Sequence, residues 1–78
     1  MKIKDFALCI GKIDDEADFE LAKIYPVIDS LSNDPKDYLR IIDESGEDYL
    51  YPAEYFQIVN LTEQSQANLK QHFEPTLA

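Results

Sequence analysis

Carboxylates are the commonest reactive groups in this chain, and their tightest cluster is Asp14, Asp15, Glu16 and Asp18. Such a cluster carries the hard oxygen donors that calcium takes. Calcium loops, however, alternate their ligands and turn sharply at a glycine. Neither the glycine nor the terminal ligand spacing is present, so the cluster reads as a solvated acidic loop and no metal is expected. The same loop has the charge to attract a basic partner. Other chemistries lack their parts. His72 is the only histidine, near Lys70 and Glu74 toward the end of the chain, so no Ser-His-Asp set can be assembled around a central site. Gly11 and Gly46 are the only glycines, too few for a phosphate-cradling loop. Paired carboxylates such as Asp14 and Asp15 recur throughout so acidic a chain that pairing carries no information. The residues point away from an enzyme, and no cofactor is expected.

Tyr38, Pro52 and Tyr55 offer a different chemistry. Flat rings and a proline make apolar walls that fit the ridges of an extended peptide. Two roles stand open for Pro52 and Tyr55: walls of such a groove, or a strand stop and a plug at a barrel end. Tyr49 extends an aromatic patch if it faces outward.

These residues must be positioned by a small body. With 78 residues the chain is expected to form one domain, and 45% apolar residues are enough for a core. Sixteen acidic residues against seven basic give a net charge of −9. Such a surface repels nucleic-acid phosphates and anionic membranes and favours a basic protein or peptide. Cys9 is the single cysteine, which excludes an internal disulfide. Its apolar setting, Phe6-Ala7-Leu8-Cys9-Ile10, makes it a buried small hydrophobe. Met1-Lys2-Ile3-Lys4-Asp5 lacks the apolar region of a signal peptide, and no run reaches transmembrane length, so a cytoplasmic location is expected.

Five strands are expected: Asp5–Ile10, Ile24–Asp29, Tyr38–Asp43, Asp48–Tyr51 and Phe56–Asn60. Gly11 ends the first, and the acidic loop 12–20 follows. Pro26 predicts an edge or a bulge in the second strand. Residues 30–35 are turn chemistry. Glu44-Ser45-Gly46-Glu47 forms a hairpin that uses the left-handed freedom of Gly46. Pro52 stops the fourth strand, and Ala53-Glu54-Tyr55 makes one 3₁₀ turn. Alternation puts Leu39 and Ile41 in the core, with Ala7, Cys9, Val27, Tyr51 and Phe56 as further members. Thr62 caps a helix over 63–73, apolar at Leu61, Ala67, Leu69 and Phe73, and Pro75 forbids its continuation. Residues 1–60 then form the small domain, and residues 61–78 form a helical tail packed upon it.

Gly46-Glu47-Asp48-Tyr49-Leu50-Tyr51-Pro52-Ala53-Glu54-Tyr55-Phe56 resembles Src-homology 3 domains, in which a glycine turn leads to a strand, a proline, two residues, a tyrosine and a hydrophobe. Asp37-Tyr38-Leu39-Arg40 is similar to the aromatic-rich start of that family's third strand. The chain also looks like small, uncharacterised bacterial single-domain proteins that share this barrel and end in Tyr-Pro-x-x-Tyr-Phe. The resemblance covers about residues 5–60. It implies an all-β fold: a five-stranded Src-homology-3-like barrel with a 3₁₀ turn before the last strand, here followed by a short C-terminal α-helix. It also implies a peptide groove, with Tyr38 where a tryptophan usually stands, Pro52 and Tyr55 in their matching places, and the acidic loop beside them to receive an Arg or Lys. The first strand departs from the pattern. Ala7-Leu8 is followed by Cys9, Ile10 and Gly11 instead of groove tyrosines, which argues for the barrel without the standard proline-peptide function.

The expected function is a non-enzymatic interaction module or small accessory subunit. Its partner-binding residues would be Tyr38, Pro52, Tyr55, Asp14, Asp15 and Glu16, and its ligand a basic or proline-containing segment. Two other readings remain: a structural protein that forms a homodimer through its tail helix or a strand edge, and an acidic nucleic-acid mimic that engages a nucleic-acid-binding protein.

Overall fold

A computed structural model describes residues 2–11 and 18–77, with side chains described as far as Phe73. The elements are β1 (Ile3–Cys9), β2 (Ile24–Ile28), β3 (Tyr38–Ile42), β4 (Asp48–Pro52), a 3₁₀ turn (Ala53–Tyr55), β5 (Phe56–Val59) and α1 (Glu63–Leu77). The protein is thus mostly β, with one C-terminal helix. All pairings are antiparallel in the order β4-β3-β2-β1-β5, so β1 to β4 form a meander and β5 returns to pair with β1. β4 and β5 are the two edges, and the sheet is not closed between them.

Side chains bring those edges together where backbones do not. Ala7, Cys9, Phe19, Tyr25, Val27, Ile41 and Phe56 form the buried cluster, with half-buried Leu39, Tyr51 and Tyr55 packed against it. The Phe19 ring lies 4.8 Å from that of Tyr51 on β4 and 5.2 Å from that of Phe56 on β5, while Tyr51 and Phe56 are 6.2 Å apart. Such tilted and edge-on ring pairs add to the area they bury. The expected core residues therefore converge, but Leu39 is only half-buried, and Phe19, a residue of the acidic loop, is among the most buried side chains.

The opposite face is also partly covered. Ile3, Phe6, Ile28 and Ile42 are buried there, and the ring of Phe73 on α1 lies 6.0 Å from that of Phe6. Ile42 lies on the face opposite Leu39 and Ile41 and is buried there as well. A register shift between Ile3 and Asp5 lets Ile3 share this face with Ile28. Pro26 pairs with Phe6, and the β2–β3 ladder begins only at Val27, so the missing amide proton costs no cross-strand bond.

Thr62 caps α1 as expected: its hydroxyl accepts the Ser65 amide at 3.1 Å and its carbonyl the Gln66 amide at 2.9 Å. The helix runs to Leu77, however, past the expected stop at Pro75. Proline's fixed φ of about −65° is compatible with helical backbone, although Pro75 has no N–H to donate to the carbonyl four residues earlier. Ala67 is exposed, and the half-buried side of the helix is Ser65, Gln66, Leu69, Lys70 and Phe73. Among the described residues, no helix is long and apolar enough to cross a membrane.

Candidate functional site

Tyr38 and Pro52 face each other across the β3–β4 pair, at the first residue of one strand and the last of the other. Tyr38 keeps 39% of its surface exposed at this position. A backbone bond from the Ala53 amide to the Asp37 carbonyl, 2.8 Å long, ties the two chain segments together just beyond the pair. The result is an open groove of about 500 Å³ lined by Lys36, Asp37, Tyr38, Pro52, Ala53 and Glu54. An exposed ring, a proline and two carboxylates therefore share one depression.

Tyr55 is not among the residues that line this groove. Its half-buried ring packs against the core and over Gly11, where an added Cβ would stand 2.9 Å from the ring carbon Cδ1. Its carbonyl accepts the amides of Ile10 at 2.9 Å and Gly11 at 3.3 Å, fixing the 3₁₀ turn to the end of β1. Asp14, Asp15 and Glu16 lie outside the described residues. Tyr49 is 49% exposed, but it pairs with Ile41 and so belongs to the sheet face opposite Pro52. Among the described residues, no three His, Cys, Asp or Glu side chains converge to hold a metal.

The strands that carry the groove are braced by polar contacts that the sequence reading did not identify. Arg40 donates from Nε and Nη2 to both oxygens of Asp34, at 2.9 and 2.7 Å, and from Nη1 to Asp48 at 2.7 Å. Asp34 also accepts the Leu31 amide at 2.8 Å. Arg40 first and this amide second hold the Asp34 carboxyl below its ordinary pKa, and both aspartates raise that of the guanidinium. A bidentate pair of this kind fixes geometry as well as charge. It anchors the turn that leads into Tyr38.

A second brace joins the inner end of the acidic loop to the β3–β4 hairpin. The Glu44 amide donates to the Asp18 carbonyl at 2.7 Å, and the Tyr25 hydroxyl donates to Glu44 at 2.8 Å while accepting the Glu20 amide at 2.6 Å. Lys23 pairs with Glu20 and, at 3.2 Å, with Glu44. Asp43, only 5% exposed, is the buried acid of the hairpin. It accepts the Tyr51 hydroxyl at 2.5 Å, the Ser45 amide at 2.9 Å and the Ser45 hydroxyl, so its burial leaves no orphan oxygen. Burial first, and the bond to Asp43 second, push the Tyr51 phenol well above its ordinary value. The only available sequence signal for these braces was the lone arginine among so many acids.

No family model, no curated protein and no solved structure matches the chain.

Proposed function

We propose that this protein is a Src-homology-3-like small barrel that acts as a non-enzymatic interaction module in the cytoplasm, binding a basic or proline-containing segment at the Tyr38–Pro52 groove. The single observation that carries this reading is the register of β3 and β4, which sets Tyr38 opposite Pro52 beside Asp37 and Glu54. The ring and the proline supply flat apolar walls, and the carboxylates supply partners for a Lys or Arg of the ligand. A ligand already in an extended polyproline conformation loses little entropy on docking. The barrel reading is supported by the return of β5 to β1 and by the rings of both edge strands meeting on Phe19. Asp14, Asp15 and Glu16 add to the attraction of a cation in this reading, and Tyr55 contributes by holding the 3₁₀ turn.

Titration of labelled protein with a peptide of alternating proline and lysine tests it. Saturable shifts at the Tyr38, Ala53 and Glu54 amides are expected, with a dissociation constant on the order of micromolar to tens of micromolar. Tyr38→Ala should weaken binding about tenfold or more, at unchanged fold. A peptide with glutamate in place of lysine should not bind. Absence of saturable shifts at millimolar lysine peptide, or shifts indifferent to Tyr38→Ala, overturns the assignment.

A further inference from the structure

A second depression lies at the far end of β3 from the groove. β3 begins at Tyr38 and ends at Ile42, where a cavity of about 360 Å³ opens between α1, the start of β2 and the β3–β4 hairpin. It shares no lining residue with the groove. Small-molecule sites span about 300–1,000 Å³, so this cavity is large enough for a modest ligand.

The walls sort by chemistry. Ile24, Ile42 and Phe73 make the apolar side. The His72 ring meets Phe73 edge-on at 4.9 Å and extends the aromatic wall. Lys23 and Glu44 make the polar side. The Lys23 ammonium is already engaged, since it pairs with Glu20 and, at 3.2 Å, with Glu44. Glu20 first and Glu44 second hold it above its ordinary pKa. Two carboxylates therefore already claim the cation that an anionic ligand would need. Glu44 is the accessible acceptor, with its side chain 43% exposed. Its bonds to Lys23 and to the Tyr25 hydroxyl both fall on Oε1, whereas a carboxylate offers acceptor sites on two oxygens.

We propose that this cavity binds a small organic cation, an amidinium or ammonium on an apolar body, with its charge at Glu44 and its body between Ile24, Ile42 and Phe73. Charge complementarity selects this class. A body of net charge −9 draws cations toward its clefts and repels anions. Asp43 beside Glu44 adds to the local negative field. An aromatic wall is attractive to a cation as well as to an apolar group. A neutral molecule of the same shape gains the apolar contacts but offers the carboxylate no charge. The site is independent of the peptide groove, so each stands or falls without the other.

Benzamidine, neutral benzamide and anionic benzoate share one shape and differ in charge, and titration of labelled full-length protein with each is the test. Benzamidine should give saturable shifts at the Ile24, Gly46 and Phe73 amides, with a dissociation constant on the order of millimolar. Benzamide should bind several-fold more weakly, and benzoate should give no saturable shift. Glu44→Gln keeps an acceptor for Lys23 and Tyr25 but removes the charge, and should weaken benzamidine about tenfold. Phe73→Leu keeps the apolar contact without the ring, should also weaken benzamidine, and serves if Glu44→Gln fails to fold. Tyr38→Ala in the groove should leave benzamidine binding unchanged. Each of four results would overturn the proposal: no saturation by tens of millimolar benzamidine, benzoate or benzamide bound as tightly, affinity indifferent to Glu44→Gln, or shifts confined to the Tyr38 groove.

Discussion

Ala22 holds φ at 69° and Gly46 at 84°, the two left-handed positions among the described residues. For an alanine this conformation costs about 1–2 kcal/mol, because Cβ crowds the following carbonyl. Replacing it with glycine relieves that strain but adds about 0.4–1 kcal/mol of unfolded-chain entropy. Ala22→Gly should therefore stabilise the protein by roughly 0.5 kcal/mol net, read from the urea midpoint. Gly46→Val should cost roughly 1 kcal/mol or more in the same experiment, since it introduces a branched side chain at positive φ. An unchanged midpoint for Gly46→Val would contradict the turn geometry. Tyr25 gives a pH prediction at the same scale. Burial foremost, then the Glu44 carboxylate, push its phenol up to about 12, against the Glu20 amide, which pulls the other way. The unfolded chain releases this proton near its ordinary value of 10.0. Stability is thus complete below pH of about 10 and falls as pH rises toward about 12, where the folded form alone retains the proton. Tyr51 shifts in the same direction. Thermal melts at mildly and strongly alkaline pH should show this fall, and Tyr25→Phe should flatten it. An equal slope in that variant would remove Tyr25 as its source.

At the scale of elements, the loop between β1 and β2 does two things. It carries the densest acidic cluster, and it delivers Phe19 between the rings of both edge strands. Phe19→Ala should cost about 3–5 kcal/mol, which in so small a domain approaches the whole of its stability. A loss of cooperative melting is expected, and a variant that melts like wild type would show that the edges meet without Phe19. Helix α1 depends on its first turn. Thr62→Ala removes the acceptor of the Ser65 amide and should cost about 1 kcal/mol, seen as a lower melting midpoint. The strands to within two residues at each end, the hairpin, the 3₁₀ turn and the Thr62 cap were legible, because each depends on residues close in sequence; β1 begins at Ile3 and not Asp5, and Pro52 is the last residue of β4. The insertion of Phe19 was not legible, since in a run of acids a single aromatic has no periodic partner to reveal its burial. The reach of α1 past Pro75 was not legible, since a proline beyond the first turn ordinarily marks a helix end.

For the whole molecule, charge sets the experiment. A body with net charge −9 should bind a basic peptide more weakly as salt rises, by a factor that grows with the number of carboxylates engaged. A titration repeated in low and high salt reads this directly, and salt-independent affinity would mean that the carboxylates beside Tyr38 take no part. The groove itself was half legible. Tyr38 and Pro52 were read as site residues from a local pattern, and the β3–β4 register brings them together. Tyr55, taken from the same pattern, has a ring packed on Gly11 and the core, so Tyr55→Ala should cost on the order of 2 kcal/mol of stability. That makes Tyr38→Ala the cleaner probe of binding.

The sequence by itself determined the acidity, the all-β character, the turn positions and the helix cap, because these follow from composition and from contacts between near neighbours. Tertiary structure decided what required distant residues to meet. It buried Ile42 on the face opposite Ile41, and it made Asp43 a satisfied buried acid by bringing Tyr51 to it. It braced Asp34 and Asp48 on one arginine. It also made β4 and β5 the edges of the sheet: strand identity is a local property, whereas which strand ends a sheet depends on the pairing of all of them.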